Sequence, residues 1–218
     1  MSGGTFDGWK GDFRGFFLGL KANNSKAYFD AHRKQYEVEI KAPMAALLAE
    51  LEPDYGPARL ARPNRDIRFA TDKSPYKTNI YADARGGGYV ALDAEGLVAA
   101  GGRYMLDAPQ LARYREAVAA ARTGNKLAGI VEALRATDYE LDQPELKRIP
   151  APYPQDHPRG QLLRHKRLIY WRRWPVGRWI ASREALERVR TTWRDGMDLK
   201  RWFDQNVGES AYSKRISE

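Results

Sequence analysis

The sequence predicts an α+β protein: one domain over residues 1–218, an antiparallel sheet packed by N-terminal, middle and C-terminal helices. Three observations carry this. Stretches with helical spacing lie at both ends and in the middle of the chain, with two-residue alternation between them. The alternating stretches are joined by turns too short for the crossover that parallel strands need. The order helices, strands, helices, strand, helix is that of a segregated α+β protein rather than a βαβ repeat.

Phe13, Phe16, Phe17 and Leu20 form the stripe of a short amphipathic helix. Asn23-Asn24-Ser25 ends it, and Ser25 is a good N-cap for a second helix to about Lys41, with Phe29, Tyr36 and Ile40 inward and His32 and Arg33 beside them. Pro43 belongs at the start of a third helix reaching Leu51. Ile67 and Phe69 alternate with Asp66 and Arg68 as in a strand. Thr78 to Ala84 alternates again, Gly86-Gly87-Gly88 leads into Tyr89 to Asp93, and Asp93-Ala94-Glu95-Gly96 reads as a hairpin turn into Leu97 to Met105. Helices follow at about Pro109 to Arg122 and Lys126 to Ala136, separated by Thr123-Gly124-Asn125. The prolines of residues 142–160 suggest an extended, stiffened segment before a strand at Leu168 to Trp171. Ser182 then caps a long last helix with Leu186, Val189, Trp193 and Met197 inward.

Composition excludes several classes. There is no cysteine, hence no disulfide, thiol nucleophile or cysteine-based metal site. Apolar runs such as Leu97 to Ala100 are far shorter than the ~20 residues of a membrane span. The first residues, Met1-Ser2-Gly3-Gly4-Thr5, lack the pattern of a signal peptide, so a cytoplasmic location without membrane partners is expected. The net charge is +9 and uneven. Residues 1–100 hold 14 basic and 13 acidic side chains, whereas residues 147–194 hold 13 basic against Asp156, Glu184 and Glu187. Arginine forks suit phosphate or carboxylate partners, and a solvated basic surface would look the same in sequence.

The densest chemistry is in Arg65-Asp66-Ile67-Arg68-Phe69-Ala70-Thr71-Asp72-Lys73-Ser74-Pro75-Tyr76-Lys77-Thr78-Asn79, with four basic and two acidic side chains. Unpaired ions cost several kcal/mol each to bury. The segment therefore pairs its charges internally or lines a wet cleft for a charged ligand. In the cleft reading Arg65, Arg68, Lys73, Tyr76, Lys77 and Asn79 bind an anion, with Arg103 and Arg148 as further contacts. Asp66, Asp72 and His157 are the candidate catalytic residues, for hydrolase or transferase chemistry if there is turnover at all. No cofactor is required, although Asp66 and Asp72 offer oxygen ligands for a divalent cation. His157 also reads as a turn residue bonding to backbone, the reading preferred, His32 as a packed one, and His165 between Arg164 and Lys166 receives no role; no metal site is assigned to histidine. The triple glycine lacks the Gly-Lys-Ser/Thr of a phosphate loop.

The fifteen-residue run resembles the most recognisable segment of the family catalogued as domain of unknown function 2461, found mainly in bacteria. The resemblance extends upstream through Asn23-Asn24, Phe29, Arg33 and Tyr36. Downstream it takes in Gly102 with Tyr104, Leu146-Lys147-Arg148-Ile149-Pro150, Tyr153 and His157-Pro158, so it spans about residues 12 to 207. Tyr28 departs from the Trp common at that place. The resemblance implies a single α+β domain with no assigned biochemical role, and it supplies no catalytic residues.

Two functions follow as expectations. One is a small-molecule site for a phosphorylated or carboxylated ligand at Arg65–Asn79. The other is a non-enzymatic binding module whose residues 147–194 meet nucleic acid or an acidic protein. There Tyr170, Trp171, Trp174 and Trp179 interleave with Arg167, Arg172, Arg173 and Arg178, a composition that suits single-stranded nucleic acid but lacks any known binding signature. Core packing of the tryptophans under arginine stems is the competing account.

Overall fold

The computed structural model describes residues 5–86 and 88–209. Residues 1–4, read above for a leader, and Gly87 of the triple glycine lie outside them. The α+β class is borne out: helices flank an antiparallel six-stranded sheet of order β1-β2-β3-β4-β6-β5. Its strands are β1 (Ala58–Leu60), β2 (Asn79–Ala84), β3 (Gly88–Asp93), β4 (Gly96–Arg103), β5 (Glu140–Leu141) and β6 (Leu168–Pro175). The chain packs as two compact units, Met1–Ala99 with Arg173–Trp193, and Ala100–Arg172 with Arg194–Glu218.

In the first unit α1 (Phe13–Ala22) buries Phe13, Phe16, Phe17 and Leu20, the stripe its spacing predicts. Ser25 caps α2 (Lys26–Ala31), its hydroxyl accepting from the Tyr28 N–H at 3.2 Å. The helix expected to continue to Lys41 is instead interrupted at His32. It resumes as α3 (Arg33–Gln35), widens into a π-helical turn over Tyr36–Lys41, and passes directly into α4 (Ala42–Tyr55). Pro43 explains the widening. Its ring clashes with a carbonyl four residues back and it has no N–H to donate. The Ala42 N–H just before it reaches five residues back, to Glu37.

The hairpin predicted at Asp93–Gly96 is present, with the Asp93 carboxylate accepting from the N–H groups of Glu95 and Gly96 at 2.8 and 3.1 Å. The last helix of the unit, α8 (Glu184–Asp195), buries Leu186, Val189 and Trp193. The Trp193 indole donates to the Tyr89 carbonyl at 3.2 Å, and the Tyr55 hydroxyl donates to the Arg190 carbonyl at 3.1 Å.

In the second unit α5 (Ala108–Ala119) and α6 (Ala121–Ala136) pack with α9 (Met197–Asn206) around Tyr114, Val118, Leu127, Leu199, Trp202 and Phe203. The break between α5 and α6 lies at Ala120, not at Thr123–Asn125 as expected. Gly124 is helical, and it marks a close approach instead: a Cβ there would lie 2.1 Å from the Val118 carbonyl oxygen and 2.4 Å from Arg159 Nε. Arg159 caps the end of α5, donating to the carbonyls of Val118 and Ala119 at 2.7 Å each.

The long C-terminal helix is also divided, at Gly196, where a side chain would run into the Tyr170 hydroxyl. Residues 142–160 are not extended. Their turns are held by Gln155, whose amide bonds both the N–H and the carbonyl of Ile149 at 3.2 and 2.7 Å, and they lead into the short helix α7 (Gly160–Leu163).

Candidate functional site: the Arg65–Asn79 loop

The strand expected at residues 66–69 is absent. Asp66 turns back on its own chain, accepting from the Arg68 N–H at 3.3 Å, and the Ala70 N–H closes on the Ile67 carbonyl at 3.3 Å. This local bonding replaces a strand partner. Phe69 is left 97% exposed, where the alternation had placed it with Ile67 on an apolar face.

The two ends of the loop are fixed to each other and to the helices. Asn64 and Tyr76 form an isolated bridge, flanked by Arg65 N–H to Pro75 O at 2.9 Å and Lys77 N–H to Pro63 O at 2.8 Å. The Asn24 side chain clamps the Tyr76 backbone from both sides, accepting its N–H at 3.0 Å and donating to its carbonyl at 2.9 Å. The buried Tyr76 ring stacks on Phe29 at 4.2 Å with the planes 5° apart. Asn24 and Phe29 are part of the same resemblance as the loop, and this contact ties them together physically.

Within the loop each acid takes an arginine. Asp66 accepts from Arg68 Nε at 3.0 Å and Nη2 at 2.6 Å, which holds its carboxyl below the usual range. Asp72 pairs with Arg65 and also accepts the Ser74 hydroxyl at 2.6 Å and N–H at 2.9 Å. The Ser74 hydroxyl first, then Arg65, push the Asp72 carboxyl far down. The two lysines are placed differently: both ammoniums are held by carbonyls. Lys73 donates to Ile67 O at 3.0 Å, and Lys77 donates to Arg62 O at 2.5 Å and Asn64 O at 2.8 Å. Burial, and then the Arg62 charge, lower the Lys77 pKa from 10.5.

Lys77 leads onto a polar sheet face that the sequence did not reveal. Its ammonium lies 5.5 Å from the Tyr81 ring centroid. Asn79, Tyr81 and Asp83 of β2 lie opposite Asp93, Ala91 and Tyr89 of β3, and Arg59 of β1 lies opposite Asp83. Burial raises the Asp83 carboxyl against the lowering by Arg59, and pushes the Tyr89 hydroxyl up to about 12. Arg173 from β6 straddles Asp93 with contacts of 3.1 Å.

The remaining candidates belong to the second unit. Arg103 is paired with Asp204 at 2.7 Å, and Arg148 is exposed. His157 Nδ1 accepts from the Arg159 N–H at 3.1 Å, the turn role weighed for it. His165, given no role, is buried with Nδ1 3.1 Å from Arg167 O, and burial lowers its pKa against the pull of Glu145 and Asp142. A histidine kept neutral in this way adds stability above its ordinary pKa of 6.5 that is lost as pH falls below it. The melting temperature should therefore drop on acidification from pH ~6.5, and drop less in His165→Gln. Equal drops in both proteins would place the acid sensitivity elsewhere.

The basic segment is partly neutralised. Seven of its thirteen cations form ion pairs: Arg167, Arg172, Arg173, Arg183, Arg188, Arg190 and Arg194. Lys147, Arg148, Arg159, Arg164, Lys166 and Arg178 form none among the described residues. Trp171, Trp174 and Trp179 are half-buried rather than core residues. Arg188, anchored on Glu184 at 2.7 Å, sits 4.1 Å from the Trp179 ring centroid and 5.6 Å from that of Trp174. Among the described residues no group of three or more His, Cys, Asp or Glu side chains is arranged to hold a metal ion. No helix there is long and apolar enough to cross a membrane.

Residues 12–202 match the model of a family described as a conserved hypothetical protein, DUF2461. No curated protein and no solved structure matches the chain.

Proposed function

The chain belongs to the DUF2461 family of conserved hypothetical proteins, and since that membership brings no chemistry with it, we propose from the geometry of the Arg65–Asn79 loop that the protein binds an anionic small molecule there. One observation carries the reading. Asp66 and Asp72 are both occupied by arginines, whereas the ammoniums of Lys73 and Lys77 donate to carbonyl oxygens and form no ion pair among the described residues.

A loop fastened to Asn24 and Phe29 holds two such ammoniums at little further entropic cost, the condition for a preorganised anion site. Phosphate and carboxylate oxygens are the matching acceptors. Asp66 and Asp72, held ionised by their partners, orient Arg68 and Arg65 and are poor proton donors. The reading is therefore binding. The face beside Lys77, with half-buried Tyr81 and Tyr89 and exposed Asp83, supplies groups for the uncharged part of the ligand.

Thermal-shift titration with inorganic phosphate, pyrophosphate, citrate and ATP tests this. An anion at ~100 times its dissociation constant should stabilise the protein by ~2.7 kcal/mol. Lys77→Met and Lys73→Met should each weaken it about 10-fold or more, a charge-assisted hydrogen bond contributing ~1.5–3 kcal/mol. The reading fails if no anion shifts the wild type, or if the double variant responds as the wild type does.

A further inference from the structure

We propose that the second unit carries a separate surface for single-stranded nucleic acid, formed by Lys147, Arg148, Arg164 and Lys166 beside the exposed ring of Tyr104. The cations come from two segments that run together. The Leu146 N–H donates to Arg164 O at 3.1 Å, Arg164 Nη1 donates to Lys147 O at 3.3 Å, and the Lys166 N–H donates to Glu145 at 2.8 Å. Lys147, Arg148 and Lys166 are exposed and Arg164 half-buried, and none of the four forms an ion pair among the described residues. The neighbouring acids do not neutralise them. Asp142 and Glu145 are both committed to Arg167, 3.1 and 3.2 Å from its Nε.

That commitment builds the second half of the surface. Arg167, fixed between a buried aspartate and a glutamate, holds its guanidinium 5.5 Å from the Tyr104 ring centroid. Tyr104 is nevertheless 67% exposed, with Met105 beside it 76% exposed. A large aromatic ring at the surface, backed by a cation and adjoining unpaired positive charge, offers a base a stacking face and the phosphates their counter-charges. The contributing segments are irregular, so no helix or strand pair is presented to enter a duplex groove. Single strands are the form that fits.

Fluorescence anisotropy with fluorescein-labelled 12-nucleotide oligo(dT) and oligo(U), titrated across salt, tests the surface. With four phosphates neutralised, log K should fall with log salt at a slope of about −2.8. Lys147→Ala with Lys166→Ala should make the slope shallower by about 1.4. Tyr104→Ala should weaken binding about 10-fold or more with little change in slope, since stacking is worth ~1–3 kcal/mol per base. All three positions are exposed, so melting temperatures should stay near that of the wild type.

The proposal is overturned by any of three results: no binding to either oligonucleotide at low salt, an unchanged slope in the lysine variant, or competition by polyglutamate as strong as by unlabelled oligonucleotide. Lys73→Met with Lys77→Met should bind oligonucleotide normally. Loss of binding there would move the interaction to the Arg65–Asn79 loop and overturn the separate surface, independently of whether small anions bind the loop.

Discussion

Tyr76→Ala should destabilise the protein by about 3–5 kcal/mol, the cost of removing a large buried aromatic side chain. The ring is 6% exposed and lies flat on Phe29, and its backbone is held at both polar groups by Asn24. Tyr76→Phe keeps the stack and should stay within about 1 kcal/mol of the wild type, as volume-conserving changes do. Urea unfolding of the three proteins decides the matter. A small loss in Tyr76→Ala would mean that the loop is not fastened through this residue, and the case for a preorganised anion site would weaken with it. The two lysine variants described above should unfold close to the wild type, which separates anchoring from binding.

Gly96→Ala should cost at least about 3 kcal/mol, combining overpacking with backbone strain. Gly96 has φ +144°, where a side chain is disfavoured, and a Cβ there would lie 2.0 Å from the carbonyl oxygen of Trp174. Backbone on that side cannot swing away as a flexible side chain could, and the Val176 N–H is tied to Glu95 O at 3.2 Å. Ala94→Gly, one residue earlier in the same turn, should cost far less. Comparable midpoints for the two variants would show that the hairpin yields more readily than its close contact implies.

Burial repeating at helical or strand spacing was legible in the sequence. The stripe of α1, the Ser25 cap and the β2–β3–β4 meander stand where the spacing puts them. Local side-chain bonding that imitates a period was not. Asp66 and Arg68 alternate with Ile67 and Phe69, yet the alternation comes from an acid folding onto an arginine two residues on. Strands as short as β1 and β5 hold too few residues to show a period at all. Gly124 was read as a helix breaker and Gly196 as lying within one long helix, yet Gly124 sits inside α6 and Gly196 between α8 and α9.

The site divided along the same line. The sequence pointed to the loop through its charge density, but not to Tyr81, Asp83 and Tyr89, which come together only through the register of β2 against β3. The Arg-rich segment looked like one basic surface because its carboxylate partners Glu50, Asp93, Asp138 and Asp142 lie far away in the chain. Charge counted along a segment overstates charge left over in space.

The division of each unit into two stretches of chain has a consequence during synthesis. Leu186, Val189 and Trp193, which the first unit buries, are translated 87 to 94 residues after Ala99, and residues 100–172 come between. At ~5–20 residues per second the N-terminal stretch waits roughly 5–20 s for them. During that interval the apolar faces of α1 and α4 have no α8 to complete their unit. The newborn chain is then at its most vulnerable to aggregation and proteolysis, and a message that pauses translation late in the gene would lengthen its exposure.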